Sequence, residues 1–128
     1  MAARGFAVLY PNIRGSTGYG HQFLVLNRGD WGGGDFKDVM AGVDYLVDTG
    51  LADPERLGIG GWSYGGYFMN LLQAKTKRFK CLASMMGIYD LRAFKEDTEE
   101  LWFANWDLGN KNFQKMSPSE YPENFSTP

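Results

Sequence analysis

The chain has 128 residues, of which 44% are hydrophobic and 22% charged, and its net charge at neutral pH is −2. That is enough for one globular domain with a buried core, and it excludes a disordered chain. No apolar run approaches a membrane span, and the densest basic run, Lys75, Lys77, Arg78 and Lys80, falls where cations suit a helix C-terminus, so neither nucleic acid nor membrane is read as a partner.

Gly5 to Pro11 is a short, nearly continuous apolar run, which predicts a strand buried on both faces of a parallel sheet. A Gly-rich loop follows over Asn12 to Gly20, then a short helix over His21 to Arg28 and a turn at Asp30 to Gly34. Asp35 to about Thr49 reads as an amphipathic helix with Phe36, Val39, Met40, Val43, Leu46 and Val47 on one face. Asp35 is placed as its cap, Asp38 in its first turn and Gly50 at its end. Asp53-Pro54 turns into a strand, Arg56 to Gly61, and Tyr64 to about Ala74 is the next helix. Phe79 to Met86 is read as another strand, with Cys81 as a buried thiol. Asp97 to Trp106 predicts a short helix, and from Asn110 onward the composition reads as loop. The order is β–α–β–α–β, with about three parallel strands and flanking helices in an α/β fold.

Gly61-Trp62-Ser63-Tyr64-Gly65-Gly66 matches G-x-S-x-G at the junction of a predicted strand and a predicted helix. A sharp turn there exposes the serine hydroxyl and points a helix N-terminus at the place where negative charge develops in acyl transfer. The glycines at 61, 65 and 66 leave out the Cβ atoms that would collide where strand and helix cross. The same stretch contains Gly58-x-Gly60-x-x-Ser63, but the serine stands where a dinucleotide fingerprint needs its third glycine. Asp30, Asp35 and Asp38 do not have a calcium-loop spacing. No cofactor or metal is called for.

Three segments resemble the catalytic domain of the prolyl oligopeptidase family of serine peptidases: Asn12-x-Arg14-Gly15-Ser16-Thr17-Gly18-Tyr19-Gly20, Trp31 to Asp38, and Asp53 to Leu57 followed by the Gly61–Gly66 hexapeptide. The acylaminoacyl-peptidase and dipeptidyl-peptidase branches look nearest. The resemblance implies an α/β-hydrolase fold and hydrolysis of peptide or amide bonds in short peptides. It carries Ser63 over as nucleophile and the Tyr64 backbone N–H as an oxyanion donor. The side chains of Trp62 and Tyr64 would shape the site, with packing an equal alternative for Trp62. A substrate pocket would draw on Tyr64, Ile88, Tyr89 and Leu91, although core packing accounts for the last three as well.

A serine nucleophile needs a base and an orienting acid, in the chain order Ser, acid, His. The single histidine, His21, precedes Ser63 and reads as solvated or capping. Asp90 follows a strand end and is a candidate acid, with helix capping the favoured role. The expectation is therefore a partial catalytic domain over residues 1–128, with the oxyanion loop and the Asp/His region outside it. Taken alone, such a piece would be inactive and would self-associate through exposed sheet edges. Nothing marks secretion, and Asn124-Phe125-Ser126 is discounted as a glycosylation acceptor, so the reading favours a soluble, cytoplasmic protein. Two alternatives stand beside the peptidase. One is an esterase or lactonase of the same fold. The other is a non-catalytic binding protein that uses Trp102, Phe103 and Trp106.

Overall fold

The computed structural model describes residues 1–109 and 113–128. In chain order the main elements are α1 (His21–Leu24), α2 (Gly34–Asp48), β1 (Gly58–Trp62), α3 (Tyr64–Lys75), β2 (Cys81–Met85), α4 (Leu91–Asp97) and α5 (Leu101–Leu108), joined by turns and short 3-10 segments. β1 and β2 pair in parallel, with Gly58 opposite Cys81 and Trp62 opposite Met85. The connection between them is α3, as a parallel pair requires.

α3 lies on one face of this pair and gives the core more residues than any other element. Tyr67, Phe68, Met69, Leu71 and Leu72 are buried along it, with Trp31, Val39 and Val43 from the α2 side, Phe79 before β2, and Leu91 and Leu108 from α4 and α5. The chain beyond α5 is tied back to α3. The Tyr67 hydroxyl donates to the Met116 carbonyl at 2.7 Å, and Gln73 Nε2 to the Thr127 carbonyl at 2.7 Å. The Leu82 N–H donates to the Pro128 carbonyl at 2.8 Å, on the edge of β2 away from β1.

Several expectations are met to within a residue or two. The amphipathic helix spans Gly34–Asp48, and Gly50 follows it with φ +74°, its N–H donating to the Val47 carbonyl. The helix after Ser63 spans Tyr64–Lys75, and Asp53 closes the turn before β1 by accepting from the Glu55 N–H at 2.9 Å.

Others are corrected. Gly5 to Pro11 forms no strand, so the sheet has two strands among the described residues and not three. A strand needs a neighbour to take its N–H and C=O groups, and none of the described strands lies beside this segment. Leu9 instead lies over Gly42 of α2, where an added Cβ would sit 3.0 Å from its Cδ2. The N-cap of α2 is Gly33, not Asp35, which lies in the first turn with its Oδ1 accepting from the Phe36 N–H at 2.8 Å, while Asp30 Oδ2 accepts from the Gly34 N–H at 2.8 Å. Asp38 instead makes a two-pronged ion pair with Arg14, at 2.8 Å from Nε and 2.7 Å from Nη2. This fastens the Gly-rich loop to α2. The helix expected over Asp97 to Trp106 runs over Leu101–Leu108, and α4 over Leu91–Asp97 precedes it without having been expected. Cys81 is exposed, because its face of β2 carries no second layer. The loop expected from Asn110 has three 3-10 turns over 113–124, and its residues 110–112 lie outside the described residues.

Candidate active site

Ser63 sits between the end of β1 and the first residue of α3, with φ +59° and ψ −115°. A residue with a side chain rarely adopts this conformation, which costs on the order of 1–3 kcal/mol and persists only where the surroundings impose it. Here they do. The Ser63 N–H donates to the Met85 carbonyl at 3.0 Å, which ties the turn to the end of β2, and its carbonyl accepts from the Tyr67 N–H at 3.0 Å. A Cβ on Gly61 would lie 2.5 Å from the Gly65 carbonyl carbon, so strand and helix cross at van der Waals distance only because Gly61 has none. Gly66 plays the same part against Met85 and Gly87. Gly65 does not, because a Cβ there would meet nothing within 4 Å.

The Ser63 side chain is exposed and does not cap α3. The Tyr64 N–H begins that helix, where the first N–H groups have no helical acceptor and the dipole favours negative charge. Beside Ser63 lies a cleft of about 190 Å³. Its apolar wall is Trp31, Tyr64, Ile88, Phe94 and Phe103, and Thr98 and Glu100 supply the polar groups. A larger cavity of about 470 Å³ lies between the Gly-rich loop, α1 and α5. Trp31, Tyr64 and Phe103 line both spaces.

The Tyr64 side chain is fixed at several points. Its hydroxyl donates to Asp35 Oδ2 at 2.5 Å. Trp31 meets its ring edge-on at 4.9 Å and 86°, and Tyr67 lies 5.4 Å away. Burial first, and then the Asp35 charge, push the Tyr64 phenol far above its ordinary pKa, so it remains a donor at any working pH. Burial does the same to Tyr67, again with help from Asp35.

The other predicted residues separate. Ile88 lines the cleft with Ser63 and Tyr64. Tyr89 stands outside it, stacked edge-on against Phe125 at 5.8 Å. Leu91 is fully buried and its N–H donates to Ser117 Oγ at 2.9 Å, so its side chain presents no surface to a ligand. Trp62 is 68% exposed and lines neither space, so it serves neither the cleft nor the core. Asp90 caps α4: its Oδ1 accepts from the Arg92 and Ala93 N–H groups at 2.8 and 2.9 Å, and its Oδ2 from Ser119 Oγ at 2.8 Å. These bonds, that of Ala93 foremost, hold its carboxyl below the usual range. His21 lines the larger cavity and not the cleft of Ser63.

Sequence reasoning missed Trp31, Phe94 and Asp35. Phe94 was signalled by the pairing of Asp90 with Leu91 and Phe94 at helical spacing. Asp35 carried no signal, because its partner lies 29 residues away.

A sequence profile of the prolyl oligopeptidase family matches residues 1–128, the whole chain. The chain belongs to the prolyl oligopeptidase family. It is 38% identical to a Bacillus subtilis protein named uncharacterized peptidase YuxL, with 100% of this chain and 21% of that protein aligned. It is 34% identical to dipeptidyl-peptidase 5 of Porphyromonas gingivalis, across 100% of this chain and 20% of that one. Among solved structures, Pyrococcus horikoshii acylaminoacyl peptidase superposes with a TM-score of 0.87 at 34% identity, over 91% of this chain and 20% of that one. A Mycobacterium tuberculosis puromycin-hydrolyzing peptidase gives 0.84 at 35% identity, over 91% and 19%. The fold of this family member is therefore α/β-hydrolase, represented by a partial parallel sheet and its helices. The chain spans about a fifth of the length of the curated relatives it matches. No helix among the described residues is long and apolar enough to cross a membrane.

Proposed function

We propose that residues 1–128 are the nucleophile-bearing part of a serine peptidase catalytic domain, and that Ser63 attacks peptide or amide bonds of short peptides. The observation that carries this reading is the left-handed backbone of Ser63 at a strand-to-helix turn, held by Met85 and by the Gly61–Gly65 crossing. Strain of this kind has little value to a binding module, and it is what an exposed nucleophile requires.

In the acylation step Ser63 Oγ bonds to the carbonyl carbon while its proton passes to a base. The carbonyl π pair moves onto oxygen, which accepts from the Tyr64 N–H. Collapse of the adduct breaks the C–N bond, and the amine leaves with the proton. Water then hydrolyses the acyl-enzyme by the same route. The base and acid come from the protein beyond these 128 residues, since Asp90 is occupied as a cap and His21 faces the other cavity. The 190 Å³ cleft of Trp31, Tyr64, Ile88, Phe94 and Phe103 suits one apolar side chain beside the scissile bond.

The test uses the longer protein that contains this chain. It should label with a fluorophosphonate at Ser63 and cleave aminoacyl-naphthylamides, since nitrophenyl esters carry so good a leaving group that peptidases and esterases both cleave them. Label that persists in Ser63→Ala would remove Ser63 as nucleophile. Cleavage of the esters with none of the naphthylamides would move the substrate class to esters.

A further inference from the structure

Asp35 is fully buried, and a buried carboxylate is costly unless its oxygens are used. Both are. Oδ1 accepts from the Phe36 N–H at 2.8 Å and Oδ2 from the Tyr64 hydroxyl at 2.5 Å. The first turn of α2 also favours an anion there. Asp30 Oδ2 takes a separate first-turn N–H, that of Gly34, so the start of α2 does not rest on Asp35 alone. The tertiary bond that Asp35 makes is to the residue immediately after Ser63.

That bond closes a frame around Tyr64. Its backbone is set by the strained turn at Ser63 and by α3, its ring by Trp31 and Tyr67, and its far end by Asp35. The ring also forms a wall of the Ser63 cleft, which it shares with the larger cavity. A rotation of this side chain would move the cleft wall and loosen the first turn of α3.

We propose that Asp35 is a positioning residue for acyl transfer. By holding the Tyr64 hydroxyl, it fixes the Tyr64 N–H where the oxyanion forms and keeps the ring as a cleft wall. This rests on the reading of Ser63 as nucleophile. Donors fixed before reaction act on the transition state more than on bound substrate, so the effect belongs in kcat.

The experiment is a double-mutant cycle in the longer peptidase, with Asp35→Ala, Tyr64→Phe and the pair, and with Asp35→Asn alongside. Asp35→Ala is expected to lower kcat about ten-fold with KM within about two-fold. In the Tyr64→Phe background the same change should cost less than about two-fold, because the bond it removes is already gone. Asp35→Asn, whose amide oxygen still accepts from the hydroxyl, should restore most of kcat. Equal losses in both backgrounds, or a loss confined to KM, would overturn the role of Asp35. Should Asp35→Ala fail to fold, Tyr64→Phe alone decides: a fall in kcat at constant KM supports the role, and unchanged kcat overturns it. Hydrolysis that survives Ser63→Ala would overturn the nucleophile reading itself, an outcome distinct from an additive cycle.

Discussion

Gly66 and Gly87 meet backbone to backbone beneath the turn at Ser63. A Cβ on Gly66 would lie 2.7 Å from the Gly87 Cα, and one on Gly87 would run into the Gly66 carbonyl. Ser84 Oγ donates to that same carbonyl at 2.9 Å. Helix α3 thus rests on the chain leaving β2, and this seat holds Ser63 above the sheet.

Gly66→Ala should therefore cost about 3 kcal/mol, at the upper end of overpacking changes, because neither backbone can give way. Gly65→Ala should instead stabilise by roughly 0.5 kcal/mol, because its Cβ meets open space and alanine favours the helix. Denaturant midpoints of the two variants would check the contrast. A similar cost for both would show that the crossing is not what matters.

The strain at Ser63 predicts a trade between stability and chemistry. Ser63→Gly should raise stability by about 1 kcal/mol, since glycine adopts φ +59° freely, while acylation is lost. Ser63→Ala loses acylation too but keeps the strain. Comparing the thermal midpoints of these two inactive variants isolates the backbone contribution. Identical midpoints would mean the turn stores none.

Acid stability should depend on Asp38 and Asp90. The Arg14 guanidinium foremost holds the Asp38 carboxyl below its usual range, and the α4 N–H groups with Ser119 do the same for Asp90. A folded-state pKa below the unfolded one adds stability above about pH 4, which is lost as pH falls through the folded value. Asp38→Asn and Asp90→Asn should each lower the thermal midpoint at pH 7 and flatten its decline in acid. Asp107 has the opposite sign. Burial raises its pKa, so its charged form opposes folding once pH rises through the folded value. Asp107→Asn should raise the midpoint at pH 7.

The two-stranded sheet leaves one face bare. Trp62 is 68% exposed and Met85, its partner in register, 49%, with Cys81 also open on that face. Parallel strands are covered on both faces in stable folds. Residues 1–128 expressed alone should therefore associate, and should hydrolyse no peptide. Trp62→Lys with Met85→Lys should shift sedimentation toward monomer. A monomeric parent with a cooperative melt would contradict this.

Much of the site was legible because an elbow is a local device. Gly61, Ser63 and Gly66 sit within six residues, and their roles follow from sterics that short-range sequence specifies. The amphipathic run of α2 was legible for the same reason. Gly5 to Pro11 misled, because an apolar run states a tendency to be buried while strand pairing needs a partner. Asp35 misled too. The cap position falls on Gly33, and Asp35, one residue into α2, divides its carboxylate between the Phe36 N–H and the Tyr64 hydroxyl.

By itself, then, the amino-acid sequence determined the order of α1, α2, β1, α3 and β2, the strand–turn–helix unit at Ser63, the capping role of Asp90 and the family to which the chain belongs, since each is written in neighbouring residues. Only the tertiary structure decided that Ile88 faces the cleft while Leu91 is sealed in the core, that Ser119 reaches Asp90, and that Asp35 reaches Tyr64. Those outcomes depend on which surfaces meet after the chain has turned back on itself, and side chains 29 residues apart carry no local mark of their contact.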